Sequence, residues 1–209
     1  MSEYFPIFLD LAGRPCLVVG GGAVAEGKVA GLLAVKARVT VVSPTLTAHL
    51  DALAAAGQIR SLRRPYRHED LAGHQLAFVA SDDPDVSAAV SAEGRARGVW
   101  VNAADEPARC DFILPSLIRR GRLVVAVSTG GASPAAARAI RLELEAYLSG
   151  EHAMLVELAA EAREDLRRRG IRADGRRWRR ALDGGLRWLI ARGHLTGARA
   201  RLARALGAA

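Results

Sequence analysis

Three consecutive glycines, Gly20-Gly21-Gly22, separate a short apolar run from a helical pattern, and that junction limits what this chain can fold into. Residues 16–19, Cys-Leu-Val-Val, read as a buried strand. Beyond the glycines, Val24, Leu32 and Leu33 recur as the large apolar residues of a helix, with small Ala25 and Ala30 between them. A strand, a glycine turn and a helix open a dinucleotide-binding βαβ unit. In that reading Gly20 permits the tight turn, Gly22 leaves the backbone bare for a pyrophosphate, and Ala25 lets the helix pack closely on the strand. The N–H groups of Gly22, Ala23, Val24 and Ala25 then face the phosphates, where the helix dipole favours negative charge. A tight turn with no ligand would use the same residues.

The next 90 residues continue in the same manner. Residues 38–42 form a second buried strand ended by Ser43-Pro44, residues 46–56 a helix stopped at Gly57, and Ile59 and Leu62 mark a third strand. An acidic residue at the end of the second strand ordinarily holds the adenosine ribose. Here Ser43 stands there with no arginine immediately beside it, which leaves NAD and NADP open on the residues alone. Residues 76–80 predict a fourth strand and 99–102 a fifth, with a helix between them reaching Arg97 and closed by Gly98. Ser81 and Asp82 are expected to cap that helix, and Asp82, Asp83 and Asp85 to complement its dipole. Ligands of open parallel sheets collect at the carboxyl ends of the strands. The glycine turn, Ser43, Pro44, Ser81, Asn102 and Asp105 should therefore share one edge, with Asp105 either a functional carboxylate or a turn residue.

After Cys110 the pattern changes. Residues 112–118 and 122–128 flank Arg119-Arg120-Gly121 and predict a β-hairpin, with Pro115 marking an edge or a bulge. Ser128 to Pro134 leads into a helix over 135–148. A lone hairpin is barely stable, so more strands are expected to pair with it, and a second copy of the chain is an economical source. From Gly150 the chain reads as helical, with apolar stripes at Leu155, Leu158, Ala159 and Ala162, then around Trp178, Leu182, Leu186, Leu189 and Ile190, then over 195–206.

Charge divides the chain in the same place. Residues 1–150 are nearly neutral, whereas residues 151–209 carry 14 arginines against 7 carboxylates. Such a tail suits nucleic acid, an acidic membrane surface or a polyanionic small molecule, or is a solvated helix face. No apolar run is long enough for a membrane span, the N-terminus has no signal-peptide pattern, and Cys16 and Cys110 make no metal or disulfide framework. A cytoplasmic protein with two reduced thiols is expected, with no membrane partner.

Four segments in order, Gly-Gly-Gly-Ala-Val-Ala-Glu-Gly-Lys, Asn-Ala-Ala-Asp-Glu-Pro, Phe-Ile-Leu-Pro-Ser and Val-Ala-Val-Ser-Thr-Gly-Gly-Ala-Ser-Pro, resemble siroheme synthase dehydrogenase/ferrochelatase modules. The likeness covers residues 4–148 closely and the tail loosely. It implies an α/β chain: a Rossmann-type parallel sheet over 1–111, a small α+β dimerisation domain over 112–149, and a helical C-terminal domain over 150–209. It also implies a homodimer that uses NAD to oxidise precorrin-2 to sirohydrochlorin, and in many members inserts ferrous iron. Asp105 matches the family's catalytic aspartate and is expected to act as general base. Ser128 and Thr129 match its substrate loop. Precorrin-2 carries eight carboxylates, which Arg109, Arg119, Arg120 and Arg138 near the expected cleft would suit. No metal ligand is assigned, and His152 and His194 are expected to be surface or core histidines rather than chelatase groups. Lys36-Ala37 departs from the family's Gly-Ala turn. The rival reading is a non-enzymatic NAD-sensing regulator whose basic tail binds nucleic acid. It explains neither Asp105 nor the Ser-Thr-Gly-Gly segment, so no nucleic-acid partner is expected.

Overall fold

The computed structural model describes residues 4–104 and 106–208, which divide into two compact units, Met1–Leu114 and Pro115–Ala209. In the first unit, β1 (Pro15–Val19), α1 (Ala23–Ala34), β2 (Arg38–Val42), α2 (Ala48–Ala55), β3 (Arg60–Leu62), β4 (Leu76–Val79), α3 (Pro84–Arg97) and β5 (Trp100–Ala103) follow one another. The five strands form one parallel sheet in the order β3-β2-β1-β4-β5. Covering both faces requires strands that are apolar on both sides. Cys16 and Val18 of β1 accordingly enter one core with Ala25, Val29, Val41 and Leu50, while Leu17 and Val19 enter another with Val90, Val99 and Val101. Burial pushes the Cys16 thiol up to about 11, so it behaves as a core hydrophobe.

The elements follow the sequence reading with instructive differences. The buried face of α1 is Ala25, Val29 and Leu32, whereas Val24 is 55 % exposed and belongs to no core. Ser81 and Asp82 do not cap α3. Asp83 does, accepting from the N–H groups of Asp85 and Val86, while the Ser81 hydroxyl accepts from the Asp83 N–H. Pro84 fills the first helical position, which is why the cap falls one residue before it. Lys36 holds the left-handed conformation (φ 60°) just past α1, at a cost of about 1 kcal/mol that a glycine would avoid. Its carbonyl accepts from the Gly13 N–H, which fixes the turn into β1.

In the second unit β6 (Ser116–Arg120) and β7 (Leu123–Val127) pair antiparallel, and α4 (Pro134–Tyr147), α5 (Gly150–Arg168), α6 (Gly175–Ala181), α7 (Gly184–Ala191) and α8 (Leu195–Leu206) follow. Arg119 and Arg120 lie in β6 rather than in the turn. The register pairs Arg120 with Leu123, so the two-residue turn is Gly121-Arg122, with Gly121 supplying the positive φ. Pro115 precedes the strand. No third strand joins this sheet among the described residues. Instead α4 and α5 pack on it, which gives a hairpin the support it lacks alone. The second apolar stripe is two helices, broken where the Asp183 carboxylate caps α7 through the Leu186 N–H. Leu158, Leu166, Leu186, Ile190, Leu202 and Leu206 form their common core.

Candidate functional site

The strand order reverses between β1 and β4, and a parallel sheet binds its ligands at that point. Register places Val42, Val19, Val79 and Ala103 level, so Ser43, Gly20, Ala80 and Ala104 begin the loops of one carboxyl edge. Gly20 has φ 119°, and a Cβ there would run into the Ala80 carbonyl as the two strands close on each other. Gly21, which sequence reasoning passed over, is just as constrained, because a Cβ would strike the Thr45 carbonyl. Its own carbonyl accepts from the Thr47 N–H at 3.0 Å, and the Thr47 hydroxyl donates to the Glu26 carboxylate. These bonds pin the Ser43–Thr47 loop to the glycine turn.

Gly22 differs from both. It precedes α1 at an ordinary φ of −89°, offers no side-chain cap, and a Cβ there would meet nothing within 4 Å. The fold therefore demands glycine at 20 and 21 but not at 22, and the bare N-terminus of α1 opens there to solvent. The N–H groups of Ala23, Val24 and Ala25 belong to that first turn, where helical geometry provides no acceptor. Ala25 is buried against the sheet as expected, and Val24 presents an apolar side chain beside the turn. A diphosphate fits this corner on three counts: unclaimed donors, the positive end of a 12-residue helix, and room over Gly22.

Ser43 is buried and its N–H donates to the Leu62 carbonyl, while Pro44 is exposed at the rim. Ser81 lies at the mouth of β4 with its oxygen engaged by Asp83. Asn102 is buried, and its amide donates to the Phe112 carbonyl at 2.9 Å, so this side chain braces the following loop. Asp105 lies outside the described residues. Its flanks are well anchored: the Cys110 thiol lies 3.1 Å from the Ala103 carbonyl and 3.4 Å from that of Glu106. Burial pushes the Cys110 thiol up, which keeps it a donor at neutral pH. Asp111 pairs with both polar groups of the Val101 backbone at 2.8 Å, and Ser91 donates to the Arg109 carbonyl. Lys28, also unremarked in the sequence, holds its ammonium 5.4 Å from the Phe78 ring centroid, with Phe112 packed edge-on against the same ring.

Arg109 is occupied. Its guanidinium pairs with Glu106 at 3.1 Å and donates to the Pro84 carbonyl at 2.5 Å, fastening the loop to the start of α3. Arg119, Ser128 and Thr129 belong to the second unit. Arg119 is exposed on β6. The Thr129 hydroxyl is used within its own loop, bonded to the Ser133 backbone at 3.0 Å, and the exposed Ser128 hydroxyl accepts from the Gly130 N–H. His152 packs on Tyr147, and His194 precedes α8 beside Trp188. Among the described residues no three His, Cys, Asp or Glu side chains gather as a metal site, and no helix is long and apolar enough to cross a membrane.

Comparison with known proteins adds an independent line. Residues 7–116 match the family NAD_binding_7, described as NAD(P)-binding, and residues 120–147 match a family described as sirohaem biosynthesis protein central. The siroheme synthase of Nitrosomonas europaea is 41 % identical over 185 residues, 87 % of this chain and 39 % of that protein. That of Thioalkalivibrio sulfidiphilus is 40 % identical over 206 residues, 98 % of this chain and 42 % of its own length. The chain thus spans about two fifths of these relatives. Among solved structures, one described as SirC, precorrin-2 dehydrogenase, superposes with a TM-score of 0.75 at 29 % identity, covering 93 % of this chain and 98 % of that one.

Proposed function

Because this chain belongs to the siroheme synthase N-terminal module family, we propose that it oxidises precorrin-2 to sirohydrochlorin with NAD. The observation that carries the reading is the contrast within the glycine turn: the fold requires glycine at Gly20 and Gly21, whereas at Gly22 a Cβ would meet only open space. NAD, when bound, supplies the acceptor for the hydride lost by the macrocycle. The N–H groups at the start of α1 hold the diphosphate, and the pinned Ser43–Thr47 loop borders the same corner. Asp105 is the proposed general base, its carboxylate taking the proton that leaves the macrocycle. Asn102, Cys110 and Asp111 brace the residues on either side of Asp105 in sequence, as positioning a reacting group requires.

Arg119 and Ser128, both exposed, are the proposed partners of the substrate's carboxylates, with Arg138 beside them in sequence order on α4. Arg109 and Thr129 contribute by holding their own loops. We further propose that residues 112–149 carry a dimer interface ahead of the helical residues 150–209, and that the homodimer works in the cytoplasm with both thiols reduced. Iron insertion is left to the assay.

The deciding experiment follows the absorbance change on adding precorrin-2 and NAD, repeated with ferrous ion present. Asp105→Asn should keep NAD binding and lose about 10²–10⁴ in rate, the usual worth of a general base. A variant that oxidises at the normal rate removes Asp105 from the mechanism, and a wild-type chain that leaves the spectrum unchanged removes the function.

A further inference from the structure

In a dinucleotide-binding sheet the adenosine ribose is read at the end of the second strand, by a carboxylate that holds its hydroxyls or by an arginine that takes a 2′-phosphate. Ser43 stands at that place and supplies neither group. It is buried, its N–H donates to the Leu62 carbonyl, and its Oγ would lie 2.9 Å from a Cβ on Gly21, so the hydroxyl faces the glycine turn. It brings no negative charge to repel a phosphate.

An arginine reaches this place from β3, 20 residues further along the chain. Register pairs Val42 with Leu62, so Ser43 and Arg63 leave neighbouring strands level with each other, on strands about 5 Å apart. Leu62 packs into the core that holds Val90 and Val101. Alternation therefore turns Arg63 to the other face, where Ala25 and Val29 of α1 and Leu50 of α2 are buried. That face carries α1, whose N-terminus opens at the glycine corner. The Arg63 side chain is 56 % exposed, and one of its amino groups bonds the Asp51 carboxylate on α2. Among the described residues its other N–H groups have no partner, so the fork is steered but not consumed. Arg64, by contrast, is consumed, with both amino groups bonded to Asp70 at 2.7 and 2.6 Å. The nearby carboxylates are engaged as well, Asp51 by Arg63 and Glu26 by the Thr47 hydroxyl.

We infer that Arg63 sets the choice of cofactor: its guanidinium receives the 2′-phosphate of NADP, so the corner accepts NADP alongside NAD. A planar guanidinium suits a phosphate because it can donate two parallel N–H groups to it. The inference rests on the cofactor reading of the glycine corner proposed above. Its test is calorimetric titration of the full-length chain with NAD, NADP and adenosine 2′,5′-bisphosphate, with no substrate present. NADP should bind within about tenfold of NAD, and its Kd should rise more steeply with salt. Arg63→Gln should weaken NADP and the bisphosphate by about tenfold to a hundredfold, the scale of lost charge-assisted hydrogen bonds, and leave NAD within about twofold. Should that variant fail to fold, R63Q/D51N, which leaves no carboxylate without its partner, is held to the same values. Wild-type binding of NADP much more than about tenfold weaker than that of NAD, or NADP binding unchanged by Arg63→Gln, overturns the inference. So does a variant that loses NAD and NADP equally, since Arg63 would then only support its loop. A wild-type chain that binds neither dinucleotide sinks the cofactor reading as well, whereas one that binds NAD alone sinks only the role assigned to Arg63.

Discussion

At the level of single residues, adjacent glycines have different reasons to exist, and substitution separates them. Gly20→Ala places a Cβ against the Ala80 carbonyl at a φ of 119°, and should cost about 3–5 kcal/mol from backbone strain and overpacking together. Gly22→Ala meets empty space at an ordinary φ, so urea unfolding should change by less than about 1 kcal/mol, the scale of a lost helix cap. Its effect should appear in titration with NAD, as a rise in Kd of about tenfold or more, equivalent to 1.4 kcal/mol. If Gly22→Ala binds NAD normally, the corner over α1 does not hold the diphosphate. The sequence alone made Gly20 and Gly22 look alike, as members of one spacing pattern. Only the approach of β4 to β1 distinguishes them, and the same geometry exposes Gly21, which has no place in that pattern.

Among the elements, the loops after β3 and β5 are held by side chains whose partners lie far away in sequence. Glu93 on α3 is 3 % exposed and receives the Tyr66 hydroxyl at 2.5 Å, the Glu69 N–H at 2.9 Å and Arg97 at 2.6 Å. Burial pushes its carboxyl up, but the bonds from Tyr66, Arg97 and Glu69 outweigh that and hold it below the ordinary 4.5. A carboxyl lowered by folding stabilises fully above its unfolded value, and that stability fades as pH falls through the folded one. Wild-type stability in urea should therefore drop below about pH 4.5 more steeply than that of Glu93→Gln, which should already be weaker at pH 7 by about 1–3 kcal/mol, the scale of weakened hydrogen bonds to a charged group. Equal pH slopes would show that Glu93 is not linked to folding. In the sequence Glu93 resembles any solvated helix position, since Tyr66 stands 27 residues away. The strands were legible because burial on both faces leaves unbroken apolar runs; the buried hub was not, because hydrogen bonding leaves no period. Cys110 escaped for the same reason and read as an idle thiol. The Cys110 thiol bonds the carbonyls of Ala103 and Glu106, which flank the proposed base in sequence, so Cys110→Ala should lower kcat about tenfold to a hundredfold with KM for NAD unchanged, the scale of a displacement of about 1 Å at a reacting group. Cys110→Ser, which keeps a donor, should recover most of the rate. A loss of thermal stability with no change in kcat would mean that the thiol only packs.

For the whole molecule, the open question is what covers the hairpin's outer side. Within the second unit Ile118 is buried beneath the helices, while its neighbour Leu117, on the opposite face of β6, is 39 % exposed. Ile140 and Leu142 of α4 and Tyr147 at its end are exposed as well, on a helix whose only buried residue is Ala137. Helices support the sheet from within the chain, so the sequence-based argument that more strands must pair with it is weaker than it looked. The exposed apolar side chains argue for a partner instead, because single exposed leucines are ordinary whereas several on one short hairpin–helix segment are unusual. A twofold dimer uses each residue twice, once from either copy. Leu117 and Ile140 are already more than half buried, so covering the remainder would contribute about 1 kcal/mol per side chain, and a glutamate at each position removes that gain and adds a charge to be desolvated. The wild-type chain is expected to sediment as a dimer at micromolar concentrations, and the double variant L117E/I140E as a monomer. Its NAD affinity should be unchanged, since the glycine corner belongs to the other unit, and its precorrin-2 oxidation should fall if the assembled dimer completes the substrate site. Sedimentation of the variant as a dimer would place the interface on a different surface and leave Leu117 and Ile140 without an assigned partner.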